Sequence, residues 1–247
     1  MKIAVWYNLP NGGGKRAWYY FVDGLKKLGH HVESWCPSTS DQEYLPLDQL
    51  ITEHILPVSW QPVSTNNRSN NDMPSNAMSY KDTMCEIKKK IAKHILPYSV
   101  REYRNIKGRV KQLILHSKKC ADQINNGGFD LLLATSCRFF ASPFIGRFIK
   151  IPKVLYLHEP CRQLYEANST LKWVGLPQSS LELQGRRLQA KEEVTNARAF
   201  DSILVNSLFT REYLLKVYGL DSKVCYPGVD TGKFINKKKH RENCVVG

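Results

Sequence analysis

The chain has 247 residues, 42% of them hydrophobic, which is enough for one large domain with a substantial core. No stretch approaches the roughly 18 to 20 consecutive apolar residues that span a bilayer, and the N-terminus lacks the layout of a signal peptide. The seven cysteines are scattered, odd in number and without a C-x-x-C pair, so neither a zinc site nor a disulfide framework is indicated. These features predict a soluble cytoplasmic protein that holds no metal.

The formal net charge of +14 is concentrated in one part of the chain. Between Lys81 and Lys119 there are twelve basic and three acidic residues. Such a patch suits nucleic acid, an anionic membrane surface or an acidic substrate. Because no nucleic-acid reader motif accompanies the charge, we expect no nucleic-acid partner.

The first strand, Lys2 to Tyr7, runs into a glycine-rich turn and then an amphipathic helix. Gly12, Gly13 and Gly14 leave the backbone open where the unpaired amides and the dipole of a helix N-terminus favour an anion. The turn therefore predicts contact with a phosphate or a sugar, and Arg16 is a further anion contact by position. The alternative is that the glycines only allow a sharp turn.

The end of the next strand, His31 to Cys36, bears on whether this turn binds a dinucleotide. Gly12 to Ala17 satisfies G-x-G-x-x-A, but that fingerprint requires an acidic residue at the end of the second strand. Here the strand ends in Trp-Cys-Pro, which argues against a nicotinamide or flavin site. A P-loop is less supported, because Arg16 stands where Ser or Thr is needed.

The middle of the chain is less regular. We predict a short strand over Ile55 to Trp60, a polar surface loop over Gln61 to Ser79, and helices over Asp82 to Leu96 and Arg101 to Asn125. Their basic faces suit either solvent or lipid headgroups on the inner face of a membrane. The residues that carry the membrane interpretation are Lys88, Lys89, Lys90 and Lys93.

Regular alternation of strands and helices then resumes. The predicted strands are Phe129–Thr135, Lys153–His158, Asp201–Val205 and Lys223–Tyr226, and the predicted helices are Arg138–Ile149, Gln178–Phe200 and Ser207–Tyr218. This order predicts an α/β fold with a doubly wound, Rossmann-like parallel sheet.

Ligands of such sheets bind beyond the carboxyl ends of the strands. The polar and glycine residues predicted to line one crevice there are Asn8, Gly12, Gly13, Gly14, Ser136, Arg138, His158, Glu159, Asn206 and Ser207. Among them His158 can donate to a substrate hydroxyl or phosphate and stabilise developing charge. A lone histidine with a structural role is the alternative.

Four segments together resemble a known family. They are the glycine turn with its aromatic-rich helix and Gly-His-His-Val, Tyr156-Leu-His-Glu-Pro160, Val205-Asn-Ser-Leu-Phe-Thr-Arg-Glu-Tyr213, and Val224-Cys-Tyr-Pro-Gly-Val-Asp230. In this order they resemble the N-terminal, acceptor-side domain of GT-B glycosyltransferases of family 4, a retaining group that moves a sugar from a nucleotide-sugar to an acceptor, often a lipid-linked one.

The resemblance implies roles for these residues. The glycine turn would face the diphosphate and sugar of a GDP- or UDP-sugar, and His158 would take the place of the catalytic-site histidine, with Glu159 beside it. Arg138, Asn8, Ser136, Asn206 and Ser207 are acceptor-side candidates. The implied mechanism needs no cofactor and no metal.

The resemblance also divides the chain. It predicts a domain over residues 1–234 with a basic insertion at about 38–128, and a linker with the start of a donor-binding domain over residues 235–247. That donor domain carries two glutamates eight positions apart in its family signature, and no two glutamates here have this spacing. We therefore expect a truncated chain that needs a separate C-terminal domain to transfer sugar. The alternative function is a non-catalytic module that docks on anionic membranes.

Overall fold

The computed structural model describes residues 1–59, 98–165 and 180–228. Its strands are β1 Lys2–Asn8, β2 His31–Pro37, β3 Thr52–Leu56, β4 Leu131–Cys137, β5 Lys153–Leu157, β6 Ser202–Val205 and β7 Lys223–Val224. Its α-helices are α1 Gly13–Lys27, α2 Tyr98–Asn126, α3 Arg162–Tyr165, α4 Ser180–Ala197 and α5 Leu208–Tyr218. Short 3-10 turns cover Leu47–Gln49 and Phe144–Arg147.

All the described strands join one parallel sheet in the order β3-β2-β1-β4-β5-β6-β7. Helices cover both of its faces, so the prediction of a doubly wound α/β fold is confirmed. The strand order reverses between β1 and β4, because β1 leads outward to β2 on one side and β4 leads outward to β5 on the other. This reversal is the topological switch point, where such sheets open a crevice.

Two of the predicted elements differ most from the structure, one in extent and one in type, and the strands predicted over Phe129–Thr135 and Lys223–Tyr226 are Leu131–Cys137 and Lys223–Val224. The strand predicted over Ile55 to Trp60 begins at Thr52 and ends at Leu56, because Pro57 cannot donate to a ladder. The helix predicted over Arg138 to Ile149 is only a 3-10 turn over Phe144–Arg147, since Pro143 disfavours helical backbone before it.

Other predictions on the middle of the chain lie outside the described residues. They are the loop over 61–79, the helix over 82–96 with Lys88, Lys89, Lys90 and Lys93, and residues 178 and 179 of the helix before β6.

The core has two parts because alternate residues of β1 face opposite sides of the sheet. Trp6 packs toward Leu113 of α2 on one face. Val5 and Tyr7 pack toward Trp18 of α1 on the other face. Helices on each side therefore fix the central strand whose end leads into the glycine turn.

Part of the segment between residues 38 and 128 belongs to the same sheet and core. β3 pairs with β2 in register, with Glu33 opposite Thr52. α2 packs against α4 and the 3-10 turn at Phe144–Arg147. Within the described ranges, no helix combines the length and the apolar character needed to cross a membrane.

His116 on α2 makes the stability of the fold sensitive to acid. The ring lies edge-on to Trp6 with centroids 6.2 Å apart, and burial lowers the pKa of His116 to about 4. Below about pH 6.5 the unfolded chain binds a proton that the folded chain does not. We therefore expect His116 to reduce the free energy of unfolding as pH falls, by about 2 to 3 kcal/mol at pH 4.5.

Urea denaturation at pH 7.5 and pH 4.5 measures this loss. His116→Gln should lose less stability than the wild type over the same interval. Equal losses in the two proteins would show that His116 is not the group responsible.

Candidate functional site

A cleft of about 780 Å³ opens at the switch point, beyond the carboxyl ends of β1, β4 and β5. The residues of the glycine turn, the segments after β4 and β5, and the residue after β6 line it. A second depression of about 530 Å³, lined by Lys26, His31 and Thr52, lies at the opposite edge, where β2 and β3 begin. Because ligands of parallel sheets bind at the carboxyl edge, the larger cleft is the candidate site.

The glycine turn forms one side of this cleft. Gly12 precedes α1 with φ of 143°, in the region that favours glycine. Gly12 has no side chain to cap the helix, and the first turn of α1 contains no acidic residue. The N-terminal amides of α1 therefore remain available to an anionic ligand.

His158 follows β5 and lies against this turn. Its backbone N–H donates to Ser136 Oγ at 3.3 Å, and its ring lies edge-on to Tyr156 with centroids 5.2 Å apart. A Cβ atom placed on Gly14 would lie 3.3 Å from His158 Nε2, so the absence of a side chain at Gly14 makes room for the imidazole.

The chemical state of His158 follows from its surroundings. Burial lowers its pKa to about 4, so the imidazole is neutral at pH 7. Its Nε2 atom is buried and has no hydrogen-bond partner among residues 1–59, 98–165 and 180–228. A neutral imidazole nitrogen can donate or accept according to its tautomer, and the residue that carries it lines the cleft.

Of the residues predicted at the ends of β1 and β4, Asn8 lies beneath the cleft, and Ser136 and Arg138 line it. Asn8 is fully buried, with its Nδ2 donating to Cys137 Sγ at 3.3 Å and its Oδ1 accepting from Thr39 Oγ1 at 3.1 Å. It therefore holds the strand ends together beneath the cleft. Ser136 and the exposed Arg138 line the cleft itself.

The two cations of the glycine turn point away from the cleft. Lys15 is fully buried, and its Nζ donates to Tyr7 OH at 3.0 Å and to the Asp41 carbonyl at 3.1 Å. Arg16 is exposed and donates from Nε to Tyr44 OH at 3.0 Å, outside the cleft lining. The structure thus brings Gly12, Gly13 and Gly14 to the cleft but not Arg16.

The residues predicted after β6 cap α5. Ser207 Oγ accepts from the Thr210 amide at 3.1 Å, which is a standard N-cap. Asn206 Oδ1 accepts from Thr210 Oγ1 at 2.7 Å, and Asn206 also lines the cleft. Of the two, only Asn206 is placed to meet a ligand there.

Glu159 lies on the rim of the cleft in an ion pair that sequence reasoning did not include. Its carboxylate accepts from Arg162 Nε at 2.9 Å, one turn along the chain. Both residues line the cleft. The three-residue spacing in Glu-Pro-Cys-Arg is a signal that could have suggested the pair.

A buried carboxyl also lines the cleft and has no motif around it. Glu193 of α4 is 0% exposed, and its Oε2 accepts from Tyr218 OH at 2.9 Å. Only the fold brings α4 behind the cleft, so the sequence offered no signal for this residue. In the described parts of the chain, no group of three or more His, Cys, Asp or Glu side chains is placed to hold a metal ion.

The sheet and the cleft together define a Rossmann-like domain of the kind found in GT-B glycosyltransferases. The chain belongs to Glycosyltransferase Family 4, whose family model matches residues 11–233. No curated protein matches the sequence.

Several solved structures are similar to the chain. Acinetobacter baumannii MurG has 12% identity and a TM-score of 0.44 over 92% of this chain and 45% of that chain. Arabidopsis thaliana UGT89C1 complexed with UDP-L-rhamnose has 14% identity and a TM-score of 0.46 over 92% and 51%. The chain spans about half the length of these structures.

Proposed function

We propose that the chain forms the acceptor-side domain of a retaining glycosyltransferase, which transfers a sugar from a GDP- or UDP-sugar to an acceptor such as a lipid-linked one. Membership of Glycosyltransferase Family 4 supports sugar transfer. The observation that carries the proposal for this site is the closeness of the His158 ring to Gly14, at the N-terminus of α1. Among the described residues, the His158 Nε2 atom has no hydrogen-bond partner.

The proposed roles follow from charge. During transfer the bond between the anomeric carbon and the diphosphate breaks, and negative charge develops on the departing diphosphate. The N-terminal amides of α1 at Gly13 and Gly14 would stabilise that charge, with Arg138 as a cation that also lines the cleft. These groups are fixed before the reaction, so they need no reorganisation during it.

His158 and Glu159 would act near the reacting sugar. A neutral imidazole can bond a sugar hydroxyl through Nε2 without placing a second positive charge beside the developing oxocarbenium ion. Glu159 would act indirectly, because its ion pair with Arg162 at the rim of the cleft would hold the segment after β5 in place. Ser136 would hold His158 in place, because its Oγ accepts a hydrogen bond from the His158 backbone N–H. Asn206 would contact the sugar acceptor.

We further propose that a separate C-terminal domain supplies the donor-binding wall of the cleft. The resemblance of Pro227-Gly-Val-Asp230 to an interdomain linker supports this division, in which the described residues form only one wall. The test is incubation of the purified 247-residue chain with radiolabelled GDP- and UDP-sugars and a set of lipid-linked and free-sugar acceptors. We expect no transfer, and clear turnover by the chain alone would contradict the division.

A second candidate function is docking on anionic membranes, either as an adjunct to transfer or as the sole activity. Exposed basic residues recur along one side of α2 at spacings that place them on one face, around a Leu115 that is 45% exposed. These basic residues are Arg104, Lys107, Lys111 and Lys118. Placement on the inner face of the cytoplasmic membrane is part of this candidate function.

Charge reversal at Lys107, Lys111 and Lys118 tests the docking surface. Each basic residue near an anionic surface contributes about 1 kcal/mol, so the triple change to glutamate should weaken binding to phosphatidylserine vesicles by about 100-fold or more. Co-sedimentation at low salt measures the bound fraction.

The matched control reverses three exposed lysines elsewhere, Lys191, Lys216 and Lys223. If this variant loses as much vesicle binding as the α2 variant, attraction by net charge explains the binding and α2 is not a docking surface.

A further inference from the structure

Glu193 connects several elements behind the cleft. Its Oε1 accepts from the Ala141 amide at 3.3 Å, in the segment after β4, and from Gln189 Nε2 at 3.4 Å. Its Oε2 accepts from Tyr218 OH at 2.9 Å, at the end of α5. The Cys161 backbone, three residues after His158, lies close enough to this carboxyl group to lower its pKa.

These donors would suit a carboxylate better than a neutral acid. The backbone amide of Ala141 can only donate, and a hydrogen bond to an ionised acceptor is stronger than one to a neutral acceptor. Within the described ranges, no lysine, arginine or histidine forms an ion pair with Glu193. The adjacent Glu192, by contrast, pairs with Arg147 at 2.6 Å. Polar contacts from three segments therefore compensate the buried charge of Glu193 instead of a cation.

We propose that Glu193 is a positioning residue, whose charged carboxylate holds the segments after β4 and β5 so that His158 stays against the glycine turn, and whose protonation releases them. The inference deepens the proposed function, because His158 carries that function. The contact between Glu193 and the two segments exists independently of sugar transfer, so it can be tested separately.

The Glu193 carboxyl group changes charge between about pH 5 and pH 7. Burial raises the pKa of Glu193 to about 6, although its hydrogen bonds from Tyr218 and Ala141 oppose the rise. The titratable groups that face it are Tyr165 of α3, Tyr218 of α5 and Cys137 of β4. Burial raises the pKa of both tyrosines and of Cys137, so these groups stay neutral in this interval.

The experiment follows the assigned His158 ring resonance of the 247-residue chain by NMR from pH 7.5 to pH 3.5. We expect one inflection near pH 6, which reports Glu193, and a second near pH 4, which reports His158 itself. The amide resonances of Ala141 and Cys161 should share the first inflection. Glu193→Gln keeps the size of the side chain and should remove the inflection near pH 6 from all three.

Two further variants make the result specific. Glu192→Gln, on the same helix but paired with Arg147, should keep both inflections. Tyr218→Phe removes the donor to Oε2 and should move the first inflection to higher pH, which tests the inference even where Glu193→Gln folds poorly. A wild-type His158 resonance without an inflection near pH 6, or one that persists in Glu193→Gln, would overturn the inference.

Failure of the proposed function has a different signature. If a His158→Ala enzyme transferred sugar normally, His158 would have no catalytic role. The inflection near pH 6 in the amide resonances of Ala141 and Cys161, which reports Glu193, would nevertheless remain.

Discussion

Under the proposed function, replacement of His158 by alanine is expected to lower the rate of sugar transfer by about 10²- to 10⁴-fold when the chain acts together with the proposed donor-binding domain. This is the range for loss of a group that handles a proton or a developing charge. The cause is the loss of Nε2, which lies beside Gly14 and has no hydrogen-bond partner in the part of the chain that the structure describes. Stability should change little or improve at acid pH, because the removed imidazole resists protonation when folded. Initial rates with radiolabelled nucleotide-sugar and urea denaturation measure the two effects.

The glycine turn offers a matched pair of variants for this prediction. A Cβ at Gly14 would meet the His158 ring at 3.3 Å, whereas a Cβ at Gly13 would meet no atom of the described residues within 4 Å. Gly14→Ala should therefore displace the imidazole and reduce transfer, and Gly13→Ala should have a much smaller effect. Equal effects of the two changes, or full activity in His158→Ala, would show that His158 does not act in the reaction.

Replacement of Lys15 by alanine is expected to reduce the free energy of unfolding by about 3 to 5 kcal/mol, which is the range for breaking a buried charged network. Lys15 Nζ donates to Tyr7 OH and the Asp41 carbonyl, and it lies 4.1 Å from the centroid of the Tyr7 ring. Tyr7 OH in turn donates to Glu53. Loss of the ammonium would leave the Asp41 carbonyl without this donor and Glu53 without its nearby cation.

Arg16→Ala is the control, because Arg16 is the adjacent residue and is exposed, with its hydrogen bond to Tyr44 at the surface. It should cost less than about 1 kcal/mol. Lys15→Met, which keeps most of the volume, should fall between the two. Urea denaturation at pH 7 compares the three, and a Lys15→Ala loss no larger than that of Arg16→Ala would contradict the network.

The sequence predicted the parts of the site that depend on strand ends. Long apolar runs identify β1 and β4, and in a parallel sheet their carboxyl ends share one edge, so the order of residues along the chain is enough to place Gly14, Ser136 and His158 together. Side-chain direction was not predictable in the same way. Lys15 and Arg16 stand in the same turn, but successive residues of a helix point in different directions. In α1 the side chain of Lys15 therefore enters the core and that of Arg16 lies at the surface.

Residues that reach the cleft only through tertiary packing could not be predicted from the sequence. Glu193 lies on a helix without a motif, and only the packing of α4 behind the segment after β4 brings its carboxyl there. The missing helix over Arg138 to Ile149 has a local cause, because Pro143 overrides a pattern of apolar residues that is otherwise typical of a helix.

The position of β1 in the sheet has a consequence for synthesis on the ribosome. β1 pairs with β4, and Asn8 contacts Cys137 across 129 residues of chain. At about 5 to 20 residues per second, β1 would wait about 6 to 26 s for this neighbour to emerge. During that time β1 can pair only with β2, and its face that carries Trp6 lacks the cover of Leu113 until most of those residues have been made. The nascent chain therefore exposes a hydrophobic strand to chaperones for many seconds before β5, which positions His158 against the glycine turn, is made.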